Sequence, residues 1–157
     1  MNKSATFSRC RKYRYTLWRD WGGLFADGYV MFIGLNPSTA DEIEDDPTIR
    51  RCIGFAKNWG YAGICMTNLF SFRATLPSDM KSQSDPVGPE NDRYLKDISK
   101  QAKLIIAAWG VNGNYLKRDQ QVIKMINGLF HLGLTKDGFP RHPLYLKKDV
   151  EPIAWQV

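Results

Sequence analysis

The sequence is poor in cysteine and histidine and contains no long apolar run. Its three cysteines, Cys10, Cys52 and Cys65, lie far apart, which argues against a disulfide framework and against a zinc or iron–sulfur site. No apolar stretch approaches the about 20 residues that a membrane-spanning helix requires, and the polar N-terminus lacks the core of a signal peptide. An ordered Ser-His-Asp set and a glycine-rich phosphate loop are also missing. We therefore expect a soluble cytoplasmic protein with no metal, no cofactor and no membrane partner.

Length and charge narrow the class of protein further. The 157 residues suit a single domain, 1–157, and the 43% hydrophobic content suffices for a core without disulfide or metal support. The formal net charge of +6 favours acidic partners, with DNA or a nucleotide as the first candidate. Basic and aromatic residues interleave at positions 9–15, a pattern that suits either a phosphate track or a solvated edge strand.

Apolar runs and turn formers predict strands that alternate with helices. Residues 13–21 alternate polar and apolar side chains and, with a turn around Gly22-Gly23 and Asp27-Gly28, predict an antiparallel hairpin with the strand at 29–33. A helix is expected to begin at Pro47 and to end before Gly60. The remaining expected elements are strands at 63–70, 104–109 and 129–134, helices at 90–101 and 115–125, and a long connection or lid at 74–89.

This alternation predicts an α/β fold in which a mostly parallel central sheet is covered by helices on both faces, an α/β/α arrangement with the antiparallel hairpin at its N-terminus. Ligands gather at the carboxyl ends of such strands. Four polar residues are expected at that edge because each lies at or after the end of a predicted strand: Asn36, Asn68, Asn112 and His142.

The turn Gly34-Leu35-Asn36-Pro37-Ser38-Thr39-Ala40-Asp41 is the strongest candidate for a site. Gly34 permits close approach of a ligand or another chain, and Pro37 holds Asn36 extended and outside the strand ladder. The Asn36 carboxamide and the hydroxyls of Ser38 and Thr39 can then hold a water or the polar edge of a ligand. The alternative is a strand-ending turn in which Asn36 only caps the following backbone.

Other candidates lie farther along the chain, each with a structural alternative. Asn68, inside an apolar strand, either reads a bound base or bonds a neighbouring backbone group, and Arg73 either binds phosphate or pairs with a surface acid. Trp109 is either a pocket wall or a core residue. His142, between Arg141 and Pro143, is held by its loop and suits stabilisation of a developing anion.

The second histidine and the acidic cluster complete the candidates. His131 sits in an apolar run, which is typical of a structural histidine. Five carboxylates at positions 41–46 suggest either a base or magnesium site or a solvated entrance to a helix, and Asp41 is the candidate we retain.

Taken together, several segments resemble a known family of bacterial and phage proteins, domain-of-unknown-function family 1643. The segments that carry this resemblance are 32–41, 46–51, 67–70, 85–92, 107–110 and 133–145.

A second and more distant resemblance is to the mismatch-specific branch of the uracil-DNA glycosylase superfamily. Gly34-Leu35-Asn36-Pro37 resembles its first active-site motif and His142-Pro143 resembles its last. The resemblance implies a three-layer uracil-DNA glycosylase-like fold in which Asn36 positions the attacking water, Asn68 reads the base, His142 supports the departing base and Leu144 wedges the duplex.

These observations predict an N-glycosidic hydrolase that removes a modified or deaminated base from DNA. Two alternatives remain: a non-catalytic module that binds a nucleotide or modified base, and a metal-dependent hydrolase or transferase that uses Asp41. The catalytic candidates are Asn36, His142 and Asp41, and the substrate-binding candidates are Gly34, Pro37, Ser38, Thr39, Asn68, Phe70, Arg73, Trp109, Asn112, Arg141 and Leu144.

Overall fold

The computed structural model describes residues 1–22 and 28–157. Seven strands run through this part of the chain: β1 Asn2–Phe7, β2 Arg14–Asp20, β3 Tyr29–Gly34, β4 Gly63–Asn68, β5 Leu104–Ala107, β6 Leu129–His131 and β7 Ile153–Ala154. The α-helices are α1 Pro47–Asn58, α2 Pro77–Lys81, α3 Asn91–Gln101 and α4 Arg118–Met125, with 3-10 segments at Val111–Lys117 and Pro143–Tyr145.

The strands form one mixed sheet in the order β1-β2-β4-β3-β5-β6-β7. The central strands β4, β3, β5 and β6 are parallel to one another, while β1, β2 and β7 join antiparallel to their neighbours. The α/β class and the parallel core predicted from the sequence are therefore confirmed.

The antiparallel pair at the N-terminus has different partners from those predicted. β2 pairs with β1 on one side and with β4 on the other, so β3 lies one strand away and forms no hairpin with β2. Five residues of the predicted turn, 23–27, lie outside the described residues. The error arose because β1 is mostly polar and exposed, so it carries no apolar alternation that would mark it as a strand.

Helix α1 begins where its sequence predicts. The Asp46 carboxylate accepts a hydrogen bond from the Ile49 amide at 2.9 Å, and Pro47 occupies the first turn, where its missing N–H leaves no helical bond unmade. Gly60 follows the helix in a left-handed conformation, with φ of 86°. Asp46 is thereby fixed beside the carboxyl ends of the central strands.

Alternate residues of β3 face two separate hydrophobic clusters. Val30 and Phe32 belong to a cluster that includes the buried face of α1, whereas Met31 and Ile33 belong to one that includes Leu95 of α3. A central strand covered on both faces explains the unbroken apolar run of β3. Among residues 1–22 and 28–157, no helix has both the length and the apolar composition needed to span a bilayer.

The predicted helix at 115–125 is interrupted near its start. Leu116 and Lys117 have φ of 54° and 55°, and α4 begins only at Arg118. The long connection at 74–89 contains α2, whose Lys81 donates to Asn112 Oδ1 at 3.0 Å and whose Lys81 carbonyl accepts from the Tyr115 hydroxyl at 2.9 Å. These bonds hold α2 against the segment that follows β5.

Candidate functional site

A cleft of about 520 Å³ opens at the carboxyl ends of β3, β4 and β5, where the parallel sheet predicts a ligand site. Its volume lies in the range of small-molecule sites. The cleft brings together nine of the fourteen residues singled out from the sequence: Gly34, Asn36, Pro37, Ser38, Asn68, Trp109, Asn112, His142 and Leu144.

Asn36 is half-buried and uses its amide hydrogens to organise the wall of the cleft. Its Nδ2 donates to the carbonyl oxygens of Pro37 at 3.1 Å and Ala74 at 2.8 Å, which ties the turn after β3 to the start of the long connection. Asn36 Oδ1 accepts no hydrogen bond from the described residues. The side chain therefore offers the cleft an oriented acceptor, which suits a water or a donor group on a ligand.

Asn68 lies at the end of β4, only 4% exposed, against the backbone of β3. A Cβ added at Gly34 would lie 2.8 Å from Asn68 Oδ1, so a larger residue at this point would force the carboxamide to shift. Asn68 Nδ2 has no hydrogen-bond partner in the described structure. A buried and unpaired amide costs about 1–3 kcal/mol, a cost that a ligand acceptor would offset.

His142 is positioned by its own loop. The Leu144 amide donates to His142 Nδ1 at 3.2 Å, so the neutral ring carries its proton on Nε2. Burial lowers the pKa of His142 below its usual value of 6.5, and the nearby Asp46 carboxylate opposes this shift. The neutral imidazole is thus a hydrogen-bond donor near neutral pH.

Arg14 and Asp46 also line the cleft, although neither was chosen as a site residue from the sequence. Arg14, on β2, is only 3% exposed, and its Nη1 donates to the Ala40 carbonyl at 2.9 Å. Burial lowers the pKa of Arg14 to about 10, and the Asp46 carboxylate opposes that shift. The basic and aromatic run at 9–15 suggested a surface feature, whereas in the structure Arg14 pairs with Phe7 of β1 and its amide donates to the Ser71 carbonyl beyond β4.

Unpaired buried donors are concentrated at this cleft. In the described residues four buried side-chain nitrogen or oxygen atoms lack a partner, and three of them belong to residues that line the cleft: Arg14 Nε, Asn68 Nδ2 and Trp109 Nε1. Buried polar groups are ordinarily paired. These three nitrogens are themselves shielded from solvent, so what they share is that they belong to residues on one cleft.

The other five predicted residues lie outside the cleft. Asp41 Oδ1 accepts from the amides of Ile43 at 2.8 Å and Glu44 at 2.7 Å, and these bonds lower its pKa. The remaining four are Thr39 and Arg141, which are exposed, Phe70, which is buried in the core, and Arg73, whose guanidinium lies over the Phe7 ring at 4.7 Å. The carboxylate in the cleft is Asp46, whose sequence signal indicated only a helix cap.

The mouth of the cleft carries an aromatic side chain that sequence inspection missed. Tyr145 is 88% exposed, and its ring centroid lies 6.3 Å from that of His142. The aromatic residues of the 9–15 segment are less available, since Tyr13 packs edge-on against Phe72 and Tyr15 stacks on Tyr94. Tyr145 is therefore the better placed of these rings to stack on a ligand.

A family model described as Protein of unknown function (DUF1643) matches residues 14–144. The chain belongs to this family. The matched region contains every residue of the DUF1643 cleft except Tyr145. Neither a curated protein nor a solved structure matches the chain, so the comparisons lend no support to the second resemblance, that to uracil-DNA glycosylases.

The cleft combines an acceptor oxygen on Asn36, the Nε2–H donor of His142 and the cation of Arg14. Within residues 1–22 and 28–157 no group of three or more histidine, cysteine or acidic side chains is arranged to hold a metal ion. The chemistry that these residues themselves can perform is orientation of a water and stabilisation of negative charge.

Proposed function

We propose that the chain is an N-glycosidic hydrolase that removes a modified or deaminated base from DNA, with a three-layer fold of the uracil-DNA glycosylase kind. The observation that carries the proposal is the placement of Asn36, Asn68 and His142 on one cleft at the carboxyl edge of the parallel strands. Each offers a different polar function: an acceptor, a buried amide and a neutral N–H donor.

The reaction needs a water, a leaving base and a group that stabilises the base. Asn36 Oδ1 accepts a hydrogen bond from the water, whose oxygen forms a bond to the anomeric carbon of the sugar. The bond from that carbon to the base nitrogen breaks, and its electron pair leaves with the base. His142 Nε2–H donates to the base as negative charge develops, the proton lost by water passes to solvent, and the base anion takes up a proton after release.

Binding of the base depends on Asn68 and on the mouth of the cleft. The Asn68 carboxamide, which is buried and lacks a partner for Nδ2, supplies hydrogen bonds to the polar edge of an extruded base. A base in a duplex must leave the stack, which costs a few kcal/mol. The exposed Tyr145 ring and the net charge of +6 support binding of the nucleic acid around the extruded nucleotide.

Oligonucleotides that carry uracil, hypoxanthine or hypermodified pyrimidines test the proposal. Incubation with the protein followed by alkaline cleavage reports abasic sites, and we expect cleavage with one of these bases. His142→Gln should lower the rate about 10²–10³-fold, the usual effect of losing such a donor. Asn36→Ala should also abolish water orientation.

The second histidine provides a matched control. His131 Nδ1 accepts from the Gly133 amide at 2.9 Å, the same local arrangement as at His142, but His131 does not line the cleft. His131→Gln should therefore retain activity. No abasic site with any of the bases, or equal rates for His142→Gln and the wild type, would contradict the hydrolase mechanism.

The non-catalytic binding module remains the second candidate because Asn36 also has a structural task. One of its two observed hydrogen bonds, to the Pro37 carbonyl, stays within the turn, and the other, to the Ala74 carbonyl, clamps the turn to a distant loop. Tight binding of a base-modified oligonucleotide without release of free base would select this candidate.

A further inference from the structure

The part of the chain that the structure describes contains three buried arginines, which differ in how fully their guanidinium groups are hydrogen-bonded. Arg19 donates from Nε to Asp45 Oδ1 at 2.7 Å and from its Nη atoms to the carbonyls of Trp18, Asp41 and Glu44. Arg118 donates from Nε to the Leu69 carbonyl at 2.9 Å and from its Nη atoms to Gln121 and to Asp92 Oδ1, the latter at 2.6 Å. Both therefore have all three nitrogens bonded and a carboxylate partner.

Arg14 has neither of these features. Its Nε has no partner, its one side-chain hydrogen bond is from Nη1 to the Ala40 carbonyl, and it forms none of the ion pairs within 4.0 Å found in the described residues. The Asp46 carboxylate acts on Arg14 through its charge, but its Oδ1 is occupied by the Ile49 amide. A buried charge is ordinarily paired, since an unpaired one is costly.

We propose that Arg14 is an anion-binding residue of the cleft and that the natural ligand carries a terminal negatively charged group, a phosphate monoester or a carboxylate on the base. The inference deepens the proposed function and rests on the same cleft, but it concerns the charge of the ligand and not the hydrolysis. An anion at Arg14 would receive hydrogen bonds from a guanidinium that the protein itself leaves only partly bonded.

The burial of Arg14 argues for a terminal group. Because the residue is only 3% exposed at a cleft wall, a phosphate inside a polynucleotide could reach it only if the chain on both sides entered the cleft. A monoester phosphate of a single nucleotide, or a carboxylate on an extruded base, meets no such obstacle. Both groups are anions that accept hydrogen bonds from a guanidinium. The phosphate monoester would belong to a free nucleotide, whereas the carboxylate would belong to a base in DNA.

Calorimetric titration of the full chain with four probes separates these sources. The probes are deoxyuridine, deoxyuridine monophosphate, inorganic phosphate and orotate, a carboxylated uracil. We expect deoxyuridine monophosphate or orotate to bind about tenfold or more tightly than deoxyuridine, as befits hydrogen bonds to a charged group. Preference for the monophosphate, with binding of inorganic phosphate alone, identifies a phosphate monoester, and preference for orotate identifies a carboxylate on the base.

Substitution of Arg14 then assigns the preference to this residue. Arg14→Gln should erase the preference, whereas Lys124→Gln, which removes the same charge from an exposed position on α4, should retain it. If Arg14→Gln does not fold, Arg14→Lys keeps a charge but loses the planar fork, and should weaken binding of the anionic probe while leaving deoxyuridine unaffected.

Two results would overturn the inference. One is equal affinity of the wild type for deoxyuridine and both anionic probes, and the other is a preference that Arg14→Gln retains or that Arg14→Lys leaves at the wild-type value. Neither depends on turnover. Base release from DNA without any anion preference would support the hydrolase proposal and refute the role of Arg14 in anion binding. Anion preference without base release would support the role of Arg14 and refute the hydrolase proposal.

Discussion

A methyl group at position 34 would collide with the side chain that we propose reads the base. The Cβ of an alanine there would lie 2.8 Å from Asn68 Oδ1, whereas ordinary contacts begin at 3.4 Å, so the carboxamide must move by at least half an ångström. Asn68 is only 4% exposed and lines the cleft, so its carboxamide must shift toward the space that the ligand would occupy. Gly34→Ala therefore perturbs the cleft at one defined atom.

The expected magnitude follows from the cost of overpacking a buried site. A cost of about 1–3 kcal/mol corresponds to a fall of about 2–12 °C in Tm for a chain of this size. Displacement of a positioning group by this distance should lower ligand binding or base release by about tenfold to a hundredfold. Thermal unfolding followed by circular dichroism measures the first effect, and titration or abasic-site formation measures the second.

Gly54 supplies the matched control. It lies on the exposed face of α1 with nothing within 4 Å of an added Cβ, so Gly54→Ala should raise stability by about 0.5–1 kcal/mol through the helix preference of alanine. Its activity should equal that of the wild type. Wild-type stability and binding in Gly34→Ala, with the control behaving as stated, would refute the assignment of Asn68 as the base-reading residue.

Three further predictions follow from the hydrogen bonds of the cleft and the acidic turn. Asn36→Asp sets a carboxyl group against the carbonyls of Pro37 and Ala74, which raises the pKa of that carboxyl in the folded state above its value in the unfolded state. Unfolding titrations should therefore show the variant losing stability relative to the wild type as pH rises through the acidic range. A stability difference that does not change with pH would contradict this. Because burial lowers the His142 pKa below 6.5, base release should decline as pH falls, with the midpoint of the decline below pH 6.5. A rate that increases as pH falls through this range would identify the imidazolium as the active form. Asp41→Asn keeps an oxygen that can accept from the two amides of its turn, so base release without added metal should be unchanged. If the wild type instead shows magnesium-dependent turnover that Asp41→Asn loses, the metal-dependent alternative is favoured.

The strands and helices that the sequence predicted well are those whose signals are local. The apolar run of β3, the Asp46-Pro47 start of α1 and the glycine at position 60 each depend on residues within a few positions of one another. Predicted strands ran too far at β4, β5 and β6 because the apolar pattern continues after the ladder ends. The sequence did not predict β1, because the polar side chains at the start of this strand are exposed and show no apolar alternation.

The cleft was predictable in outline for a topological reason. Asn36, Asn68, Asn112 and His142 each come at or after the carboxyl end of a parallel strand, and such ends meet at one edge of a sheet. The sequence could not show which carboxylate of the acidic cluster reaches the cleft, because this depends on the path of the loop before α1. Asp41 binds the amides of its own turn, and Asp46 caps the helix beside the cleft.

By itself the sequence determined the α/β class, the parallel core and the edge of the sheet where polar groups collect, because these follow from periodicity, turn residues and the geometry of parallel connections. Only the tertiary structure decided the bonding state of each group. The Asn36 amide is occupied by the Ala74 carbonyl from a distant loop, whereas Arg14 is buried with Nε unpaired at a point where β2 meets Phe7 of β1 and Ser71 beyond β4. Long-range strand pairing sets which donors are satisfied, and no local pattern encodes it.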